Sequence, residues 1–199
     1  MGARVLWLVR HGAPETPAGV AIGSSDPRLS PAGRAQARRL GARLASRRLT
    51  AVYTSDRLRA IETATEIGQP QGLTVQVDVR LRELDFGAWE KRNLADLWIE
   101  EASAAAAWER DLRATPPSFA EGLSQLETRV AEFWEDVRMS LRREVAVVAH
   151  RGSLAVLQAL VTGTPLEALF ATGLDLGAAL PLVLPNGADV QGADRFQHS

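Results

Sequence analysis

Two continuous apolar runs, Val5-Leu6-Trp7-Leu8-Val9 and Val145-Ala146-Val147-Val148-Ala149, constrain this chain more than any other feature. Neither alternates apolar with polar residues, as a half-solvated strand would. Both have the length and the β-branched content of strands covered on both faces. Strands of that kind belong to parallel sheets with helices on each side. The runs therefore point to an α/β architecture.

The rest of the chain alternates accordingly. Residues 10 to 29 are rich in Gly, Pro, Ser and Asp and read as a long loop. Ser30-Pro31 then supplies an N-cap followed by proline at the first helical position. Ala37, Leu40, Gly41 and Leu44 put small and apolar side chains on one face of the helix that follows. Ala51 to Thr54 reads as a second strand leading into a helix over roughly 57 to 67, and Leu73 to Val77 as a third strand. Residues 93 to 112 read as helical. Ser118 and Glu121 have capping-box spacing for a helix running to about Arg142. A helix is expected from Gly152 to Val161, and the apolar stretch Leu174 to Leu184 closes the sheet. The expected fold is a three-layer α/β sandwich with a mostly parallel central sheet flanked by helices. No linker, repeat or low-complexity stretch divides residues 1–199, so a single domain is expected, with a frayed polar tail.

Composition narrows the function classes. The 199 residues carry a net charge of -1, which argues against a broad electrostatic footprint for nucleic acid or anionic lipid. A small anionic substrate needs only a few local cations and stays open. With no cysteine, disulfides, thiolate zinc sites and cysteine nucleophiles are excluded, and a reducing cytoplasm is the simplest compartment. The Val5–Val9 run is far shorter than a signal peptide's core plus cleavage site. No apolar run approaches the ~20 residues that cross a bilayer. A dimer and a monomer are equally compatible with the sequence.

Chemistry concentrates in four segments. Of three histidines, His198 lies by the C-terminus and reads as an inert tail residue. The other two, in Leu8-Val9-Arg10-His11-Gly12 and Val148-Ala149-His150-Arg151-Gly152, each follow a buried strand beside an arginine. Ligands of open α/β sheets bind beyond the carboxyl ends of the strands, so both histidines can reach one crevice. Taken singly, each would read as an ordinary strand-end histidine bonded to a loop. The matched Arg-His settings favour chemistry. Metal binding fits poorly, because the adjacent arginines repel a cation and neither motif holds a carboxylate. In Tyr53-Thr54-Ser55-Asp56-Arg57-Leu58-Arg59 a helix starts just after a strand, offering free N–H groups at the same edge. Arg59 or Arg57 can face the crevice, but not both. In Arg82-Glu83-Leu84-Asp85-Phe86-Gly87-Ala88-Trp89-Glu90, Glu83 and Asp85 alternate with apolar residues and offer a carboxyl group for general acid catalysis.

Taken in order, these segments resemble the histidine phosphatase, or phosphoglycerate mutase-like, superfamily over nearly the whole chain. Leu-Val-Arg-His-Gly is its most specific signature, and Thr-Ser-x-x-x-Arg-Ala-x-x-Thr-Ala, Arg-Glu-x-x-Phe-Gly-x-Trp-Glu and Val-x-Ala-His-x-Gly support it independently. The resemblance implies a covalent phosphohistidine at His11. Arg10, Arg59 and His150 would bind the phosphoryl oxygens, and Glu83 would move the proton. It selects Arg59 over Arg57 and implies no metal and no cofactor. Arginine suits this task because phosphoryl transfer spreads charge over three equatorial oxygens, which its planar, permanently charged fork can meet.

The chain departs from the pattern in three places. The usual Glu-Thr and following Asn are replaced by Ala13-Pro14-Glu15-Thr16-Pro17-Ala18, so Thr16 or Ser24 is left to supply the missing contact. Lys91 stands where the family has Gly after Trp-Glu, and Arg151 where it often has Gly or Asn. Thr16, Gly23, Ser24 and Arg151 are the candidate substrate rim. Dedicated mutases usually carry a longer insertion between the acid and the second histidine than residues 84 to 149 provide. That favours a phosphomonoesterase of a small phosphorylated metabolite. The stretch Gly19 to Ser30 and the overall length look most like the α-ribazole phosphatases. The alternatives are a phosphoglycerate-type mutase and a silent relative that binds phosphorylated ligands.

Overall fold

The computed structural model describes residues 4–116, 118–141 and 143–184. Its centre is a five-stranded sheet of order β3-β2-β4-β1-β5. The strands are β1 (Arg4–Arg10), β2 (Leu49–Thr54), β3 (Val75–Val77), β4 (Glu144–Ala149) and β5 (Ala179–Leu184). β1 pairs with β4, β4 with β2 and β2 with β3, all parallel; β5 alone runs antiparallel, along β1.

Side chains of β1 alternate between two apolar layers, which is why the run must be apolar throughout. Leu6 and Leu8 join Leu126, Phe133 and Leu157 on one face. Trp7 and Val9 join Leu40, Leu44 and Ile67 on the other. The second layer is covered by α1 (Pro31–Leu44) and α2 (Leu58–Gly68). The first is covered by α5 (Leu123–Ser140), α6 (Arg151–Thr162) and α7 (Leu166–Thr172). The expected α/β sandwich is the observed architecture. No helix among the described residues is long and apolar enough to cross a membrane.

The helix expected over 93 to 112 is two helices, α3 (Leu94–Glu100) and α4 (Ala102–Arg110). Glu101 between them has φ -117° and ψ 38°, outside the helical range. The break lets Leu97 and Ala105, from the two helices, both pack on buried Trp89. Ser118 and Glu121 do not cap α5. The cap is Gly122, whose N–H donates to Gln125 Oε1 at 2.6 Å, while Glu121 is drawn off by Arg129. The helix also ends at Ser140, short of Arg142. The polar tail and His198 lie outside the described residues.

One close approach shapes the loop after β1. Ser30 caps α1 as expected, accepting from the Gly33 N–H at 3.0 Å and donating to the Ala13 carbonyl at 3.0 Å. A Cβ on Gly33 would stand 2.0 Å from that same Ala13 oxygen, and one on Gly12 would stand 2.5 Å from the Gly33 oxygen. Two glycines therefore let the first turns of α1 lie directly on the His11 loop.

Candidate active site

The sheet order brings the histidines together. β1 and β4 are in register at Arg10↔Ala149, so the next residues, His11 and His150, emerge side by side. Their ring centroids are 5.0 Å apart. On the other flank of β4, the register Thr54↔Val148 carries Ser55 to the same edge.

His11 is 4% exposed. Its Nδ1 lies 2.8 Å from the Gly12 carbonyl, an acceptor only, so Nδ1 carries the hydrogen. Nε2 is then left with its lone pair. Burial, reinforced by the Arg59 and Arg10 charges and partly offset by the Gly12 bond, lowers the His11 pKa to about 3. The imidazole is neutral at any physiological pH. Gly12 is itself held, its N–H donating to Thr63 Oγ1 at 3.0 Å, and Thr63 in turn donates to the Arg59 carbonyl at 2.7 Å.

His150 is fully buried and its Nε2 lies 2.7 Å from Ser55 Oγ. Ser55 Oγ also accepts the Arg57 N–H at 3.3 Å, and its own hydrogen can be given to Nε2. That arrangement leaves the hydrogen of His150 on Nδ1, which is buried and has no protein partner. Burial, then the Arg59 and His11 charges, push the His150 pKa well below its ordinary value.

Arg59, on the first turn of α2, is 0% exposed, whereas Arg57 is half-buried. The Arg59 Nη1 donates to Ser25 O at 2.7 Å and Nη2 to Gly23 O at 3.0 Å. These bonds tie the far edge of the guanidinium to the loop and leave Nε, buried, without a protein partner. Burial lowers its pKa to about 10, so it remains a cation at neutral pH. Arg10 donates through Nη1 to Leu174 O at 2.8 Å, and its buried Nε likewise has no protein partner. Unpaired buried polar atoms are rare in proteins, and Arg10 Nε, Arg57 Nε, Arg59 Nε, Thr54 Oγ1 and His150 Nδ1 all belong to residues at or next to this edge.

Glu83 faces the start of α6. Its two carboxylate oxygens each lie 3.1 Å from the Gly152 N–H, and Leu84 N–H donates to it at 2.9 Å. A Cβ on Gly152 would stand 2.4 Å from Glu83 Oε1, so a side chain there would push the Glu83 carboxyl out of this position. Asp85 turns elsewhere, accepting the Gly87 N–H at 2.9 Å. Of the N–H groups at the start of α2, that of Leu58 is taken by Asp26 Oδ1 at 2.6 Å.

The rim residues divide. The N–H groups of Gly23 and Ser24 both donate to Glu90 Oε1 at 2.8 Å, so they build the loop that holds Arg59. Thr16 sits half-buried in a turn closed by its N–H on the Pro14 carbonyl at 2.9 Å. Arg151 turns toward α7, donating to the Phe170 carbonyl at 2.6 Å. Lys91 has φ +64°, the left-handed region that suits the glycine standing there in the family pattern. The local sequence assigned no role to Ser55, Glu90, Thr63 or Arg129; their partners at the site, His150, Gly23, Gly12 and Glu83, are distant in the chain and carry no spacing signal.

The depressed histidines make stability pH-dependent. In the unfolded chain each titrates near its ordinary value of about 6.5; in the folded protein the charged form is disfavoured. The unfolded state therefore binds more protons below that pH. Stability is full above about pH 6.5 and falls as pH drops toward 3, with a slope of about 1.4 kcal/mol per pH unit for each histidine. Urea unfolding of wild type and His11→Ala from pH 7 to 4 measures it; equal slopes would contradict the burial of a neutral His11.

Two imidazoles, two arginines and a carboxylate thus lie at one edge of the sheet, with unpartnered polar atoms among them. The chain belongs to the histidine phosphatase superfamily (branch 1), whose model matches residues 6–188. It is 34% identical over 176 residues to the adenosylcobalamin/α-ribazole phosphatase of Escherichia coli K12, covering 86% of each chain. It is 32% identical to the glucosyl-3-phosphoglycerate phosphatase of Mycobacterium tuberculosis H37Rv, covering 83% of this chain and 78% of that one. Its fold matches the native structure of a mycobacterial glucosyl-3-phosphoglycerate phosphatase with a TM-score of 0.84 at 28% identity, covering 96% and 94% of the two chains. It is a hydrolase of the phosphatase type.

Proposed function

We propose that this domain is a phosphomonoesterase that hydrolyses a small phosphorylated metabolite through a phosphohistidine on His11, with α-ribazole 5'-phosphate as the foremost candidate substrate. The observation that carries the mechanism is the His11 ring, with Nδ1–H bound to the Gly12 carbonyl and a neutral Nε2 beside two arginines. The likeness to the E. coli α-ribazole phosphatase supports the substrate.

In the first half-reaction the Nε2 lone pair forms a bond to phosphorus while the bond from phosphorus to the ester oxygen breaks. Charge on the three phosphoryl oxygens falls to Arg10, to the Arg59 Nε and to the His150 Nδ1–H. Glu83 enters the cycle in its carboxylic acid form and gives that proton to the leaving oxygen. In the second half-reaction water attacks phosphorus, Glu83 takes its proton, and the bond to Nε2 breaks to release inorganic phosphate. Thr16, Gly23 and Ser24 form the rim on this reading. Arg151 serves α7 instead. A chain without cysteine fits work in the cytoplasm.

The substrate is tested by measuring phosphate release, as kcat/KM, from α-ribazole 5'-phosphate, glucosyl-3-phosphoglycerate and 3-phosphoglycerate. A preference for either of the others displaces the first candidate. Interconversion of 2- and 3-phosphoglycerate without phosphate release would replace the hydrolase with a mutase. For the acid, Glu83→Gln is expected to slow an alkyl phosphate by about 10²-fold or more. It should slow 4-nitrophenyl phosphate far less, because that leaving group needs no proton. Equal losses on both esters would remove Glu83 from the acid's role.

A further inference from the structure

Glu83 is carried by residues 82 to 86, which belong to no helix and no strand. No ladder of backbone bonds sets their position, yet a proton donor must be placed to within a fraction of an ångström. Besides the Arg82–Asp56 ion pair and the bond from the Phe86 N–H to Glu90, one group from α5 spans the segment. Arg129 donates through Nη1 to the Arg80 carbonyl at 2.6 Å and the Arg82 carbonyl at 2.7 Å, and through Nη2 to the Glu83 carbonyl at 3.0 Å. Its Nε and Nη2 also meet the Glu121 carboxylate at 2.6 and 2.9 Å. All five N–H donors of the guanidinium are thereby used. Glu121 completes the clamp through Oε2, the oxygen that meets Nη2, which also accepts the Asp85 N–H at 3.2 Å.

We propose that Arg129, oriented by Glu121, is a positioning residue that sets the reach of the Glu83 carboxyl toward the leaving-group oxygen. It touches no reacting atom and acts through the backbone on both sides of the acid. Half-buried on α5, it is fixed by the same helix whose Leu126, Val130 and Phe133 are buried in the core, so the acid is referenced to the rigid body of the fold. The inference rests on the reading of Glu83 as the proton donor.

The test compares Arg129→Lys, which keeps the charge and the stem but loses the fork, with Glu83→Gln and the double variant. Glu121→Gln is a milder companion should Arg129→Lys unfold. Each is assayed on an alkyl phosphate and on 4-nitrophenyl phosphate. Arg129→Lys is expected to lower kcat on the alkyl ester by about tenfold, part of what a general acid supplies, with little change on the aryl ester and in KM. In the double variant the loss should be little greater than in Glu83→Gln alone, since residues acting through one group are not additive. Glu121→Gln should show the same skew more weakly. Equal losses on both esters, or additive losses in the double variant, would overturn the proposal while leaving Glu83 as the acid. If Glu83→Gln itself shows no skew, the acid reading fails and this inference falls with it.

Discussion

Replacing His11 by alanine is expected to lower kcat for phosphate release by about 10⁴-fold or more, the scale seen when a covalent nucleophile is removed. The argument is one of position and electronic state. His150 is not placed to take over, because its Nε2 is engaged by Ser55 Oγ at 2.7 Å. The fold should survive. His11 contributes one ring at the sheet edge, while the layers beneath are built from Trp7, Val9, Leu6 and Leu8. At low pH the variant should be the more stable protein, because the disfavoured protonation of His11 is gone. Acid quenching would destroy the label on histidine, so the phosphoenzyme is best trapped in alkali from a ³²P-labelled substrate. Wild type should carry label that His11→Ala lacks. A variant that still turns over at near wild-type rate would remove the phosphohistidine from the mechanism.

Arg59→Ala is expected to lower kcat/KM by about 10³-fold and also to destabilise the protein by about 2–3 kcal/mol. The two effects share a cause. The guanidinium is fully buried, and its terminal nitrogens satisfy the carbonyls of Ser25 and Gly23. Truncation removes the charge that would meet the phosphoryl group and strands those acceptors. The loop itself stays clamped from behind, where Glu90 accepts the N–H groups of Gly23, Ser24 and Ser25 at 2.8, 2.8 and 3.2 Å. Burial, then Arg59, lead the causes that depress the pKa of His150, and Arg59 also contributes at His11. Both imidazoles should thus titrate closer to their ordinary value in this variant, seen as an upward shift of the histidine ring resonances with pH. Arg59→Lys should recover part of the stability but little of the rate, since an ammonium cannot hold the loop and present an Nε–H at once. Full activity in Arg59→Ala would mean that Arg10 alone supplies the charge.

Local sequence settled what short-range physics can settle. The two apolar runs specified strands covered on both faces, and Ser30-Pro31 specified where α1 begins, because strand burial and helix capping act over a few residues. The motifs placed His11 and His150 at strand ends and Arg59 on a first helical turn. The capping signal at Ser118 and Glu121 failed for an equally physical reason. Glu121 gained more from two bonds to Arg129 than from a cap, and that partner is invisible at the spacing where caps are sought. The long helix expected over 93 to 112 broke because the tertiary position of Trp89 asked for side chains from two directions.

The sequence by itself thus determined which elements form and which residues reach the carboxyl edge of the sheet, His11 among them. Only the tertiary structure decided that they meet. β4 inserts between β1 and β2, which are far closer to each other in the chain, and so sets His150 between His11 and Ser55. It also decided the Ser55 contact of His150, the depth of burial that holds His11 neutral, and the clamp from α5 on the Glu83 segment. Those depend on solvent exclusion and on bonds between residues 36 to 95 apart in sequence, and no local pattern encodes either.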